Sequence, residues 1–499
     1  MKKFSVEALA RMIGAETDGA VQASFDGVST DSRTVKPSDC FFAIAGEKFD
    51  GHDFVAEVFS KGAACAVVSR QLGNARLAGR PILRVDDTVK ALGDFARHYR
   101  QQCSFKVIAI TGSVGKTTTR QMIHHVLSQR YRAAQSPKSF NNSIGLPMTL
   151  LAAEPDDDVV VAEIGANHPG EISYLTRIAQ PDIAVITNVH PAHLEGFGDI
   201  DTIVREKLSI TEGLGTNGLL IINADIEQLV GACAAGGLVF RSFGMSPRAD
   251  YRAEGITCLG LNSSFIISGT EIHLPLPGPG NVENALAACA VCSQFRLSID
   301  EFADAVRTIK SVSMRAELLQ VGTVTILNDC YNANPASMRN ALEILAGLAS
   351  ERNPQGERRL VFVCGEMAEL GRESERLHAE LGTQAASLGV ELLLAVGKSA
   401  WITAEAASNA AGGNLETARF ADTVSLCNSL EKYIKGRDII LVKGSRAAKL
   451  ETAVEKLKEL FAPAPTTYAI EEVARPSTTR RAVEAETKET RRGLLRRSP

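Results

Sequence analysis

The segment FKVIAITGSVGKTTTR, residues 105–120, runs from an apolar stretch straight into Gly112, Gly115, Lys116 and Thr117. A strand ending at Ile110 and a helix starting near Lys116 set successive backbone N–H groups around an anion at a helix N-terminus. Gly112 and Gly115 permit close approach, Lys116 reaches the outer phosphates, and Thr117 or Thr118 can hold Mg²⁺. Thr111, Ser113 and Val114 complete the loop, and ATP or another nucleoside triphosphate is the expected ligand. The loop is trimmed, because G-x-x-x-x-G-K-[ST] requires glycine at position 110, where this chain has isoleucine. A glycine turn that merely starts a helix is the plain alternative. Strand, Gly-Lys-Thr-Thr and helix in one register argue against it.

The rest of the chain bounds what such a loop can serve. At 499 residues it exceeds one hydrophobic core, so about three domains are expected. Apolar content of 45% and charged content of 22% are those of an ordinary globular protein. A formal net charge of -4 gives no general attraction to nucleic acid or anionic lipid. No apolar run approaches the roughly 20 residues that span a bilayer, and MKKFSVEALARMIGAE has no signal-peptide core. Ten scattered cysteines suit a reducing cytoplasm. Cys289 and Cys292 form a C-x-x-C, but they lie in an Ala-rich helical stretch with no second pair, as core thiols would.

Residues 1–104 alternate short strands (CFFAIAG, CAVVS, PILRV) with polar turns. From residue 105 to 312 the nearly continuous apolar runs KVIAITG, DVVVAEIG, DIAVITNV and NGLLIINA predict a parallel sheet buried on both faces. A second α/β unit is expected over 313–463, with VTILNDCYN, RLVFVCGEM, ELLLAVG and DIILVKGS as strands. Two consecutive doubly wound units imply a ligand cleft between them. Residues 464–499, rich in Pro, Thr, Glu and Arg, are expected to be a disordered tail.

The loop alone does not specify the reaction. Glu163 falls at the carboxyl end of the next predicted strand, where it can act on magnesium as a Walker B acid. His190 and His193 lie beyond the end of the strand after that, an unusual neighbourhood for kinases and motors, whose metals take oxygen ligands. Either histidine alone reads as a surface loop residue. Lys207, on a predicted helix, alone reads as a solvated face residue.

Together, TGSVGKTT, NNSIGLP, AEIGA, NVHPAHLEGFG, Lys207 and GPGNVENALAA resemble the Mur ligases, ATP-dependent amide ligases of bacterial cell-wall synthesis built from three α/β domains. The trimmed loop is the form that family uses. The wording PAHLEGFG, NDCYNANPASM, GEMAELG and LVKGSRAAKLE is similar to the branch whose substrates are UDP-N-acetylmuramoyl-tripeptide and D-alanyl-D-alanine. The resemblance spans about residues 26–455 and implies a uridine-nucleotide domain, a central P-loop ATPase domain and a C-terminal Rossmann-like domain. It implies two Mg²⁺ ions, one held by Thr117 and Glu163 and the other by His193, and a Lys207 carbamylated into a metal-binding carboxylate. By the same correspondence Lys116 and Arg315 contact phosphates, Asn281 and Asn284 lie on the adenine side, and Asp329 binds ribose. Thr30, Asp31, Ser32 and Arg33, with Asn142, Tyr331, Asn332 and Asn334, fall on substrate-binding positions. One departure is visible, Gly280 in GPGN where the family wording has histidine.

The expectation is therefore a cytoplasmic, monomeric acid–D-amino-acid ligase that uses neither nucleic acid nor a membrane span. Alternatives are a ligase adding the third peptide residue, folylpolyglutamate synthase, a P-loop phosphotransferase or motor ATPase, and a homologue kept for binding alone.

Overall fold

The computed structural model describes residues 1–18, 22–73, 77, 79–349 and 358–462; the tail expected over 464–499 lies outside them. The loop strand, Lys106–Thr111, sits inside a seven-stranded sheet. Its order is Tyr251–Arg252, Phe240–Gly244, Leu219–Asn223, Ile183–Ile186, Lys106–Thr111, Val159–Glu163 and Ala133–Gln135. All pairings are parallel. After the loop strand the chain goes to one edge and returns through Val159–Glu163, then crosses to Ile183–Ile186 on the other side. The direction reverses at the loop strand, so its carboxyl end is the crevice where open α/β sheets take ligands. Every residue of Val159–Glu163 and Ile183–Ile186 is buried, which is why these strands carry no polar alternation.

Two features of this region lay beyond the periodicity of the sequence. Glu254–Leu259, Asn262–Ile267 and Thr270–Leu274 form a small antiparallel sheet whose serines and threonines mask the alternation. The helix Pro279–Cys292 that follows is buried over nearly its whole surface, and Cys289 and Cys292 are buried free thiols within it. The C-x-x-C is core, as its setting suggested.

A six-stranded sheet follows in the order Glu317–Val321, Val324–Asn328, Ile439–Lys443, Leu360–Gly365, Leu392–Val396 and Glu416–Phe420. Only its first pair is antiparallel. The four apolar runs of the sequence form its centre, while its two edge strands are partly exposed and were not foreseen. Among the described residues no helix is long and apolar enough to cross a membrane.

The N-terminal sheet runs Glu16–Asp18, Ile82–Arg84, Cys65–Val68, Asp39–Phe42 and Gly27–Ser29, antiparallel only at the first pair. The helix Thr88–Gln101, capped by the Asp87 side chain, joins it to the central sheet. Phe95 and Tyr99 from that helix pack with Phe4, Phe25 and Phe42 at ring-centroid distances of 5.3–6.5 Å. The same apolar cluster continues into Val107, Leu146, Val160 and Ile186 of the central domain, whereas the six-stranded sheet has separate clusters. Tyr99 donates its hydroxyl to the buried Ala153 carbonyl at 2.7 Å. Tyr99→Phe leaves that carbonyl without a partner and is expected to lower the unfolding free energy by about 1–3 kcal/mol, read as a lower urea midpoint.

Candidate active site

The loop closes onto the helix Lys116–Leu127 through Gly115, whose φ of +85° no β-carbon favours. A Cβ at Gly115 would lie 2.1 Å from Asn284 Oδ1, and one at Gly112 would lie 1.9 Å from Thr187 Oγ1. Both glycines are therefore fixed by close packing as well as by the turn. The amides of Ser113 and Val114 donate to Asn188, to its carbonyl at 3.2 Å and its side-chain oxygen at 2.9 Å. This departs from the expected cradle, since these two amides are spent on holding the loop. Those of Gly115, Lys116, Thr117 and Thr118 head the helix with no acceptor among the described residues, as an anion site requires.

Around the loop, charge is buried at Arg120, Glu163 and Lys207 and half-buried at Lys116. Lys116 Nζ donates to the Gly112 carbonyl at 2.6 Å, and burial lowers its pKa to about 8, against Glu163 and with Arg315 adding to the fall. Glu163 is fully buried at its strand end, 3.0 Å from Arg120, and among the described residues neither carboxylate oxygen accepts a hydrogen bond. Thr117 lines the same cavity. A hydroxyl and a buried, unsatisfied carboxylate are oxygen donors that fit Mg²⁺. No three His, Cys, Asp or Glu side chains converge into a metal cluster among the described residues. A Mg²⁺ here would lean on phosphate oxygens and water, its usual habit.

His193 takes a left-handed backbone, φ +54°, at the head of a short helix, and its Nδ1 pairs with Glu369 of the six-stranded domain. Burial lowers its pKa against Glu369, and Lys116 and Lys207 lower it further, so the ring is neutral near pH 7. His190 is tied through its backbone to Ser113. Lys207 corrects the plain reading of a solvated lysine. It is only 3% exposed, its Nζ stands 5.9 Å from the Phe197 ring, and it has no hydrogen bond or ion pair among the described residues. Burial, reinforced by Lys116, lowers its pKa to about 7. Its neighbour Glu206 points elsewhere, accepting from the amides of Gly170 and Ile172.

The six-stranded domain contributes the opposite wall of a cavity of about 1120 Å³. Arg315 reaches Ser139 at 3.3 Å and lies 4.2 Å above the Tyr331 ring. Asn334 caps the helix Pro335–Ala349 by accepting from Ser337 at 2.9 Å, and it donates to the Ser113 carbonyl of the loop at 3.4 Å. Asp329 is no helix cap. Its carboxylate accepts from the Ala316 amide at 3.0 Å and from Lys443 Nζ at 2.5 Å. Asn332 also receives Lys443, through its carbonyl at 3.0 Å.

Residues 24–100 match the Mur ligase family catalytic domain, residues 110–292 the Mur ligase middle domain, and residues 314–446 the Mur ligase glutamate ligase domain. A UDP-N-acetylmuramoyl-tripeptide--D-alanyl-D-alanine ligase from Escherichia coli (strain K12) is 36% identical over 468 residues, covering 92% of this chain and 99% of its own. The chain belongs to the Mur ligase family. A crystal structure of MurF from Acinetobacter baumannii gives a TM-score of 0.81 at 31% identity, over 92% of this chain and 99% of that one. A MurF ligase from Thermotoga maritima, solved in complex with ADP, gives 0.73 at 25% identity over 87% and 97%. The three-domain α/β architecture of a Mur ligase is thus established.

Within this Mur ligase, Ser113–Thr118, Asn142, Glu163, His193, Asn281, Asn284, Arg315, Asp329, Tyr331, Asn332 and Asn334 line one cavity. Lys207, Thr111 and Gly112 are not among its lining residues, and neither are Thr30–Arg33, which form the turn after the strand Gly27–Ser29 of the N-terminal sheet. There Asp31 accepts from Arg33 at 2.7 Å, and that contact holds its pKa down at about 2. Sequence reasoning missed Asn188, Arg120, Lys443 and Glu369, which act by position rather than by motif. Lys443, 2% exposed at the end of a strand, had one signal, a lysine closing an apolar run. Asp329→Ala strands that buried ammonium and is expected to cost about 3–5 kcal/mol in urea unfolding, with most of the loss recovered when Lys443→Met is added.

Proposed function

We propose that this chain joins D-alanyl-D-alanine to UDP-N-acetylmuramoyl-tripeptide, using ATP, through an acyl phosphate. The observation that carries the reading is end-to-end similarity to ligases of that name, in a chain whose P-loop cleft gathers Lys116, Glu163, His193 and Arg315. Residues 1–104 hold the uridine nucleotide, with the turn Thr30–Arg33 and Asn142 on the substrate side. Residues 105–312 bind ATP and 313–463 close over it. A carboxylate and an amine do not condense in water, so the tripeptide carboxylate first takes the γ-phosphoryl group. Transfer between two anions depends on positioning and charge, which Lys116 and Arg315 supply beside the helix amides. Asn281 and Asn284 face the base, and Asp329 the ribose. The D-alanyl-D-alanine amine, near Tyr331, Asn332 and Asn334, attacks the acyl phosphate, and phosphate leaves. The polar contacts across the cleft keep water from the acyl phosphate.

Thr117 and Glu163 would hold one Mg²⁺, and His193 and Lys207 a second, and the ions would neutralise phosphate charge. For Lys207 this requires a change of sign. The ammonium first loses a proton, carbon dioxide adds to the neutral amine as a nitrogen–carbon bond forms, and a second proton leaves that nitrogen, so that a cation becomes a carbamate anion. Burial of Lys207, reinforced by Lys116, lowers its pKa to about 7 and so favours the neutral amine that this addition needs.

The deciding measurement is phosphate release with UDP-N-acetylmuramoyl-tripeptide, its third residue diaminopimelate or lysine, plus D-alanyl-D-alanine. Turnover with a single amino acid or glutamate instead would move the reading to the third-residue ligase or to folylpolyglutamate synthase. Lys207→Ala is expected to be nearly inactive and partly rescued by acetate, and Lys207→Arg to be no better. An active Lys207→Arg enzyme defeats the carbamate.

A further inference from the structure

The helix Pro279–Cys292 carries Asn281 and Asn284, yet it begins without a cap of its own. Its N-cap residue is Gly278, which has no side chain to accept a bond, and Pro279 has no amide hydrogen. The first N–H group needing a partner is that of Gly280. It donates to Oδ1 of Asn340 at 3.1 Å, and Asn340 belongs to the helix Pro335–Ala349 of the six-stranded domain. A side-chain amide oxygen accepting from the second residue of a helix is what an asparagine N-cap does.

The fit is close. A Cβ at Gly280 would lie 2.8 Å from Asn340 Oδ1, and a Cβ at Gly278 would lie 2.5 Å from Ile344 Cγ1 on the same incoming helix. Gly280, the departure from the family wording, is what makes room. Asn340 lines the nucleotide-sized cavity together with Asn281 and Asn284. Asn284 in turn accepts from Thr119 at 3.2 Å and lies against Gly115 of the phosphate loop.

We propose that Asn340 is a positioning residue that supplies, from the third domain, the N-cap this helix lacks, so that domain closure and placement of Asn281 and Asn284 are a single event. The proposal rests on nucleotide binding in the cleft and deepens it. Without the cap the first turn frays and the base end of the site loosens; with the third domain seated, it is held.

The test is the affinity for ADP by calorimetry, with KM for ATP and kcat measured beside it. Asn340→Ala is expected to weaken ADP binding and raise KM roughly fivefold, the scale of a lost cap. Asn340→Asp keeps the acceptor oxygen and recovers most of the affinity. Gly280→Ala pushes Asn340 away and weakens binding similarly, and the double variant is no worse than Asn340→Ala alone. Unchanged ADP affinity in Asn340→Ala, an Asp variant as weak as Ala, or additive losses in the double variant would each overturn the proposal. Because ADP binding needs neither acceptor nor peptide, a failure of the cap is distinguishable from a failure of the assigned reaction.

Discussion

The cleft depends on charge held out of water at the carboxyl end of one strand. Lys116, Arg120, Glu163 and Lys207 are gathered there with fewer partners than buried ions normally have. Such a cluster costs stability, and the cost falls when a triphosphate and its cations enter. Glu163 stands 3.0 Å from Arg120 and among the described residues accepts no hydrogen bond, Lys116 donates to a carbonyl of its own loop, and Lys207 faces an aromatic ring. Charged groups fixed in place before the reaction are the preorganisation that phosphoryl transfer uses.

The remaining charge comes from across the cleft. Arg315 sits between two residues with left-handed backbones, Met314 and Ala316, and both are pinned within the third domain, by Glu317 and Asp329. Arg315 therefore moves with the third domain although it touches Ser139 of the central one. Among the described residues the polar contacts that cross the cleft include Asn334 on Ser113, Asn340 on Gly280, Arg315 on Ser139, Glu369 on His193 and the Glu195 amide on the Glu369 carbonyl. Such an interface suits a domain that must part and rejoin.

Much of this was legible in the sequence where a single chemical demand dictated residue type. Buried parallel strands demand continuous apolar runs, so the centres of both large sheets were readable and their half-exposed edges were not. The loop demands glycine at 112 and 115, so it announced itself. Lys207 could not be told from a surface lysine without its family context, because burial comes from Phe197 and the helix around it. Asn188 and Asn340 were invisible because their roles exist only after residues 74 and 60 positions away are brought beside them. The helix Pro335–Ala349 is capped by Asn334, while Asp329, five residues before it, holds Ala316 and Lys443.

The aromatic cluster of Phe4, Phe25, Phe42, Phe95 and Tyr99 fuses the first sheet to the central one in a single close-packed core. Close-packed cores do not stretch. The separation between the turn at Thr30–Arg33 and the loop at Lys116 is thereby set by the protein alone. In the proposed reaction the first site grips one end of the sugar nucleotide and the second waits for the carboxylate at the other. The fused core then works as a ruler between those two sites.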